Sequence, residues 1–161
     1  MNKKRKNKEI QLVVFKLGDE EFGVDITQVK EIMKMTQITK IPCTLSFVEG
    51  LINLRGKVTT VVDLRKKLNI NTDQQKNTKI IIVEIDGNTL GMVVDSVIGV
   101  LRLSDVDIEP VPSLMTHQNI GYIWGIGKLK ERLLILLDLQ KILSQKEVKE
   151  IETNVLQYSP S

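Results

Sequence analysis

The chain has 161 residues, of which 42% are hydrophobic and 27% charged, as in one globular domain or two very small ones. The formal net charge is +3, from 23 basic and 20 acidic residues. Five of the basic residues stand among the first eight, which leaves 18 basic against 20 acidic residues, a net charge of −2, for the rest. A basic groove that follows a nucleic-acid backbone is therefore not expected in the body of the chain.

The counts of reactive residues exclude several kinds of site. The single cysteine, Cys43, excludes an internal disulfide and a cysteine-based zinc site, and the single histidine, His117, excludes a multi-histidine metal site. No apolar run approaches the 18 or so residues needed to span a bilayer, and no signal-peptide pattern follows the basic start. We expect a protein of the reducing cytoplasm that holds no metal and no cofactor.

In chain order, a basic, disordered tail over residues 1–9 is followed by short strand-like runs separated by turn signals. The predicted strands are Gln11–Leu17, Glu21–Val24, Phe47–Leu54, Lys57–Asp63, Lys79–Ile85, Thr89–Val94, Val97–Leu103, Gly121–Ile126 and Leu133–Asp138. Hairpin turns are predicted at 18–20 and 86–88, a linker at 69–78, and helical segments at 139–143 and 147–157. Asp25–Met35 and Asp95–Leu103 each fit a helical turn followed by an extended strand. This pattern predicts a mainly β protein.

An internal repeat divides the chain into two copies of one small β unit. When Leu12–Met35 is aligned without gaps on Ile80–Leu103, every apolar residue of the first segment meets an apolar residue of the second. A second alignment, of Val48–Leu68 on Ile123–Leu143, pairs identical residues at several positions, among them Gly50, Asp63 and Leu68. Units this small are marginal alone, so we expect them to share a core or a tight interface.

The residues that carry chemistry do not converge on a catalytic site. Cys43 and His117 are the only candidates for a thiol–imidazole pair, and nothing in the sequence orients His117, which lies in a polar loop. Asp63, Asp95 and Asp138 each end an apolar run, where aspartate commonly caps the next turn or helix. The sequence therefore predicts no enzyme.

Two groups of residues are candidates for binding. Arg55-Gly56 lies between two alternating strands and predicts a tight hairpin tip that projects Arg55 and Asn53, with a solvated turn arginine as the alternative. Val29, Glu31 and Ile32 form the other group. Apolar residues of this group either belong to the core or face a groove that receives a partner helix.

These residues lie in segments that resemble the CheW family, the coupling proteins of bacterial chemotaxis. The resemblance runs from Gln11 to Leu143 and is carried by several motifs in one order. They are the stretch 15–26 (FKLGDEEFGVDI), VKEI at 29–32, FVEGLINLRG at 47–56, VVDLR at 61–65, GMVVDSV at 91–97 and LLDL at 136–139.

The resemblance implies two five-stranded SH3-like β-barrels packed side by side, with short helical turns and a C-terminal helix. The CheW-like domain would span 10–143, its copies lying at about 10–70 and 78–143, with exchange of terminal strands left open and a helix or tail at 144–161. It also implies a non-enzymatic cytoplasmic adaptor at membrane-attached receptor arrays. Its partners would be the helical tip of a chemoreceptor, the regulatory domain of the histidine kinase CheA and further copies of the adaptor.

The family's binding positions carry over by motif, undivided between receptor and kinase. They are Val29, Glu31, Ile32, Gly50, Asn53, Arg55, Gly56, Gly91, Val97 and Val100. Three alternatives stay open. The chain couples a chemosensory pathway other than flagellar chemotaxis, it binds nucleic acid through SH3-like barrels and its basic arm, or it is an enzyme that uses Cys43 and His117.

Overall fold

The structure, a computed structural model, describes residues 8–70, 77–115 and 120–158 and contains eleven strands in that part of the chain. The strands are β1 (Glu9–Leu17), β2 (Glu20–Asp25), β3 (Glu31–Lys34), β4 (Val48–Leu54), β5 (Lys57–Asp63), β6 (Lys79–Ile85), β7 (Asn88–Val94), β8 (Ser96–Ser104), β9 (Ile108–Glu109), β10 (Ile123–Lys128) and β11 (Leu133–Leu137). The helices are α1 (Leu64–Lys67) and α2 (Gln145–Tyr158), and short 3-10 turns cover 26–28, 105–107, 113–115 and 139–141.

The strands form two sheets. The first sheet has the order β8-β1-β2-β11-β10-β9, and the second sheet has the order β3-β6-β7-β5-β4. Most neighbours are antiparallel, but β2 pairs with β11 and β5 pairs with β7 in parallel. Each sheet therefore takes strands from both halves of the chain, and neither coincides with the segments 10–70 or 78–143.

The repeat in the sequence is a repeat of elements. The first of the two alignments relates β1, β2 and β3 to β6, β7 and β8, and the second relates β4 and β5 to β10 and β11. Applied to the order β8-β1-β2-β11-β10, this correspondence yields β3-β6-β7-β5-β4, which is the order of the second sheet. The two sheets are therefore pseudo-equivalent units, and the first has the short strand β9 in addition.

Apolar residues form three buried clusters. One lies inside the first sheet around Leu12, Val14 and Leu134, and another lies inside the second sheet around Ile52 and Ile80. The largest, here called the shared cluster, draws on both sheets and on α2. Its members include Val13, Phe15, Phe22, Ile81, Val83, Met92, Leu137, Val148 and Ile151. The core is thus divided between two units that also bury a common interface.

An ion cluster joins the two sheets at one end of this interface. Arg65 donates to both carboxylate oxygens of Asp63, at 2.9 and 2.8 Å, and to Oδ1 of Asp95 at 2.7 Å. The backbone N–H of Gly18, in the β1–β2 turn of the other sheet, donates to Oδ2 of Asp95 at 2.6 Å. Hydrogen bonds to the two carboxylates raise the pKa of Arg65 further above its usual range.

The predicted fold class is confirmed: the protein is mainly β, with two sheet-built units side by side. Of the two segments that fit a helical turn followed by a strand, Asp25–Met35 opens with a 3-10 turn and then extends, whereas in Asp95–Leu103 the strand β8 begins directly at Ser96. Asp63 and Asp138 cap the turns that follow them. The first strand begins at Glu9, the last residue assigned to the basic tail, while residues 1–7 and most of the predicted linker (71–76) lie outside the described residues.

Candidate docking site

The Arg55-Gly56 hairpin tip forms as predicted. Both residues have positive φ, 50° and 86°, and Leu54 pairs with Lys57, so the two-residue turn is of the type whose twist matches the flanking strands. The side-chain oxygen of Asn53 accepts a hydrogen bond from the Gly56 N–H at 2.7 Å. Asn53 and Gly56 therefore shape the turn, and Arg55 is the side chain that the turn presents.

Arg55 forms a two-pronged ion pair with Glu31. Its Nη1 lies 3.1 Å from Oε1, and its Nη2 contacts Oε2. Because β3 and β4 are the opposite edges of the second sheet, this pair links the two edges at the surface, together with a backbone pair between Thr39 and Leu51. The hydrogen bond from Arg55 lowers the pKa of Glu31, and the same bond raises the pKa of Arg55. The arginine side chain remains 71% exposed, so a partner can reach it.

Ile32 and Val100 are exposed apolar residues at pseudo-equivalent positions of two edge strands. Ile32 is opposite Ile81 and Val100 is opposite Val13, and both opposing residues belong to the shared cluster. Since directly opposed side chains point to the same face of a sheet, Ile32 and Val100 extend the faces that form the shared cluster. Their exposed fractions are 39% and 58%, so this apolar surface is not covered within the described chain.

Val29 and Val97 lie three positions before Ile32 and Val100, respectively. Both are half-buried and pack against the shared cluster. They therefore contribute to the core with the buried part of the side chain. Of the two alternatives raised by the sequence, core or groove, the packing of these residues supports the core, and their part in a groove stays a prediction.

Gly50 and Gly91 are buried, and their surroundings indicate a packing role. Gly50 has φ of +147°, and a Cβ there would collide with the carbonyl oxygen of Thr39. A Cβ on Gly91 would lie 2.8 Å from the side chain of Ile80. The structure thus brings Glu31 and Arg55 together at one surface and places these two glycines inside the second sheet unit.

Sequence patterns did not indicate the groove beside the Arg55 turn, here called the α2 groove. It runs between this turn and α2, and its lining includes Lys57, Val58, Lys149 and Glu152. Val58 belongs to a regular strand pattern, and only the packing of α2, which lies far later in the chain, makes a groove of its surroundings. The pseudo-equivalent Leu133 is likewise exposed, at 61%.

The described part of the chain contains no cluster of three or more histidine, cysteine or acidic residues with the geometry of a metal site. Cys43 is a half-buried free thiol, and His117 lies outside the described residues. No helix between residues 8 and 158, the gaps at 71–76 and 116–119 aside, is long and apolar enough to cross a membrane.

Two pseudo-equivalent sheet units with a common core, an exposed ion pair and exposed apolar edge residues define a docking scaffold. Comparison with known proteins identifies the family of this scaffold. The sequence profile of the CheW-like domain matches residues 11–147. The chain belongs to the CheW family, and as a member it is a non-catalytic scaffold of the chemotaxis signalling complex.

Individual relatives agree. The chain is 37% identical over 143 residues to the chemotaxis protein CheW of Klebsiella aerogenes, which covers 88% of this chain and 86% of the relative. It is 34% identical over 145 residues to CheW of Thermotoga maritima, covering 89% and 93%. The crystal structure of a CheW scaffolding protein from Thermoanaerobacter tengcongensis superposes with a TM-score of 0.78 at 38% identity, covering 87% of this chain and 97% of that one.

Proposed function

We propose that this protein couples the helical cytoplasmic tip of a chemoreceptor to the regulatory domain of the histidine kinase CheA, in the cytoplasm at membrane-attached receptor arrays. Two observations carry the proposal: the exposed Arg55–Glu31 pair on the second sheet, and the exposed apolar residues on the edge strands β3 and β8. Arginine is among the residue types that contribute most of the binding energy at protein interfaces.

The two pseudo-equivalent units supply more than one surface for this role. Ile32 lies on the second sheet and Val100 on the first, so two partners can be held by different units of one fold. Further copies of the protein are additional candidates for these edges. Signal passes if the adaptor binds two states of the kinase with different affinity, since a ligand shifts an equilibrium only by such a difference.

Co-sedimentation tests the proposal. Vesicles that carry a receptor cytoplasmic fragment are spun down with the protein, with the kinase, and with both. We expect the protein to sediment with the receptor alone, and the kinase to sediment in larger amount when the protein is present. A protein that stays in the supernatant with receptor vesicles, and that also fails to bind the kinase in solution, would contradict the proposal.

A matched pair of surface variants locates the binding surface. Ile32→Ser removes exposed apolar area and is expected to reduce sedimentation at least tenfold. Val106→Ser serves as the control, because Val106 is an exposed apolar residue that lies outside the edge strands β3 and β8. Equal reductions in sedimentation from both substitutions would show that binding does not depend on this surface.

A further inference from the structure

The α2 groove lies on one side of the Arg55 turn and has room for a segment of secondary structure. Its volume is about 990 Å³. An α-helix about 10 Å across fills about 120 Å³ per residue, so the groove holds roughly two turns of helix. Its walls are the Arg55 turn and strand β5 on one side and α2 on the other.

The floor of the groove is apolar where β5 leaves the core. Along β5, Val62 belongs to the shared cluster, and Val58, an even number of positions earlier, points to the same face. No residue of the described chain covers Val58, which is 59% exposed, while Leu90, which pairs with Thr60 of the same strand, is buried. On the opposite wall, Val148 and Ile151 of α2 are turned into the core and fix the helix in place.

The charges of the groove do not balance. Lys57 and Lys149 stand on its two walls, and neither forms an ion pair with any residue that the structure describes. Of the two acidic side chains in the lining, Glu31 is paired with Arg55. Glu152 keeps its charge, because the hydrogen bond that it accepts at 3.0 Å comes from the neutral amide of Asn88, so Lys57 and Lys149 together outnumber it by one positive charge. A positive groove is a local feature, since the chain after Lys8 has a net charge of −2.

We propose that the α2 groove binds a short amphipathic helix of a partner, with apolar side chains on Val58 and carboxylates facing Lys57 and Lys149. The inference rests on the proposed function, because the receptor tip proposed there is a helical partner. The proposal adds to the docking scaffold a contact that involves α2 and a preference for negatively charged partners. Without this contact, the docking residues would be Arg55, Glu31 and the exposed apolar edge residues.

The test is receptor binding by charge-reversal variants of the full chain. The double variant Lys57→Glu/Lys149→Glu is compared with two controls. Lys130→Glu reverses a charge at the position equivalent to Arg55 in the other copy, and Lys146→Glu reverses a charge on α2 outside this groove. Dissociation constants for the receptor fragment and for the kinase regulatory domain are measured at low and at physiological salt. Circular dichroism and thermal unfolding establish that each variant is folded.

We expect the double variant to bind the receptor fragment at least tenfold more weakly at low salt, with a smaller ratio at physiological salt because added ions screen exposed charges. Both controls should stay within twofold of the unsubstituted protein. The inference is overturned if the double variant also stays within twofold, or if it weakens only kinase binding. If the double variant binds normally but Ile32→Ser binds the receptor more weakly, the proposed function holds and only the inference about the α2 groove is contradicted. If the unsubstituted protein binds neither partner, both the inference and the proposed function are contradicted.

Discussion

At the scale of single residues, the Arg55–Glu31 pair shows which part of a site a sequence can predict. The turn follows from Gly56 and from alternation in the flanking strands, so the projection of Arg55 was predictable. Its pairing with Glu31 was not, because the two residues are far apart in the chain and meet only when β3 and β4 become opposite edges of one sheet. Local patterns do not contain that long-range information.

The titration of Glu31 measures this pair. Its pKa lies below the usual 4.5 in the folded protein because Arg55 binds the charged form. The interaction is therefore fully present above pH 4.5 and is lost as the pH falls through the lowered pKa. In Arg55→Ala, the carboxyl resonance of Glu31 followed by NMR should titrate at a higher pH than in the unsubstituted protein. An unchanged midpoint would show that the pair does not persist in solution.

Two of the glycines carried over as binding positions should differ in what they do for stability. Gly50→Ala introduces a methyl group against the carbonyl of Thr39 at a positive φ, so we expect a loss of about 3 kcal/mol in the free energy of unfolding. Gly56→Ala has free space around it and should lose only about 1 kcal/mol, from its backbone conformation. Urea midpoints with unchanged slopes would check this order. Similar losses would contradict the packing role of Gly50.

At the scale of elements, α2 is not part of the internal repeat, but its apolar side chains complete the shared cluster. The sequence predicts a helix at 147–157 from apolar spacing, and the structure extends it to Gln145. Ser144 and Glu147 exchange hydrogen bonds, at 2.9 and 3.0 Å, in a capping box at its start. Where the helix packs was not predictable, because nothing in its spacing distinguishes the second sheet from the first.

Removing one apolar contact of α2 should destabilise the whole protein. Ile151 is buried in the shared cluster, so Ile151→Ala is expected to lower the free energy of unfolding by about 3 kcal/mol. Lys146→Ala, on the exposed side of the same helix, should change it by less than about 0.5 kcal/mol. Chemical denaturation provides both values. A loss below about 1 kcal/mol for Ile151→Ala would mean that α2 is not docked on the shared cluster in solution.

At the scale of the whole molecule, the repeat predicted two equivalent units but not how they are built. The alternation of apolar and polar residues and the matched glycines align the sequence with itself, and these two alignments identify which strands correspond. They do not say which strands pair, so exchange of terminal strands between the copies 10–70 and 78–143 stayed open. In the structure, the parallel pairs β2·β11 and β5·β7 interleave the two copies. Such interleaving ties the relative position of the docking surfaces to the fold itself.

The measurement that tests the central claim most directly is the phosphorylation rate of the kinase reconstituted with receptor vesicles, with and without this protein. A scaffold that couples the two partners should raise the rate above that of receptor and kinase alone. Arg55→Ala, folded by circular dichroism, should raise it less. No increase with the unsubstituted protein, or an undiminished increase with Arg55→Ala, would contradict coupling through this docking surface.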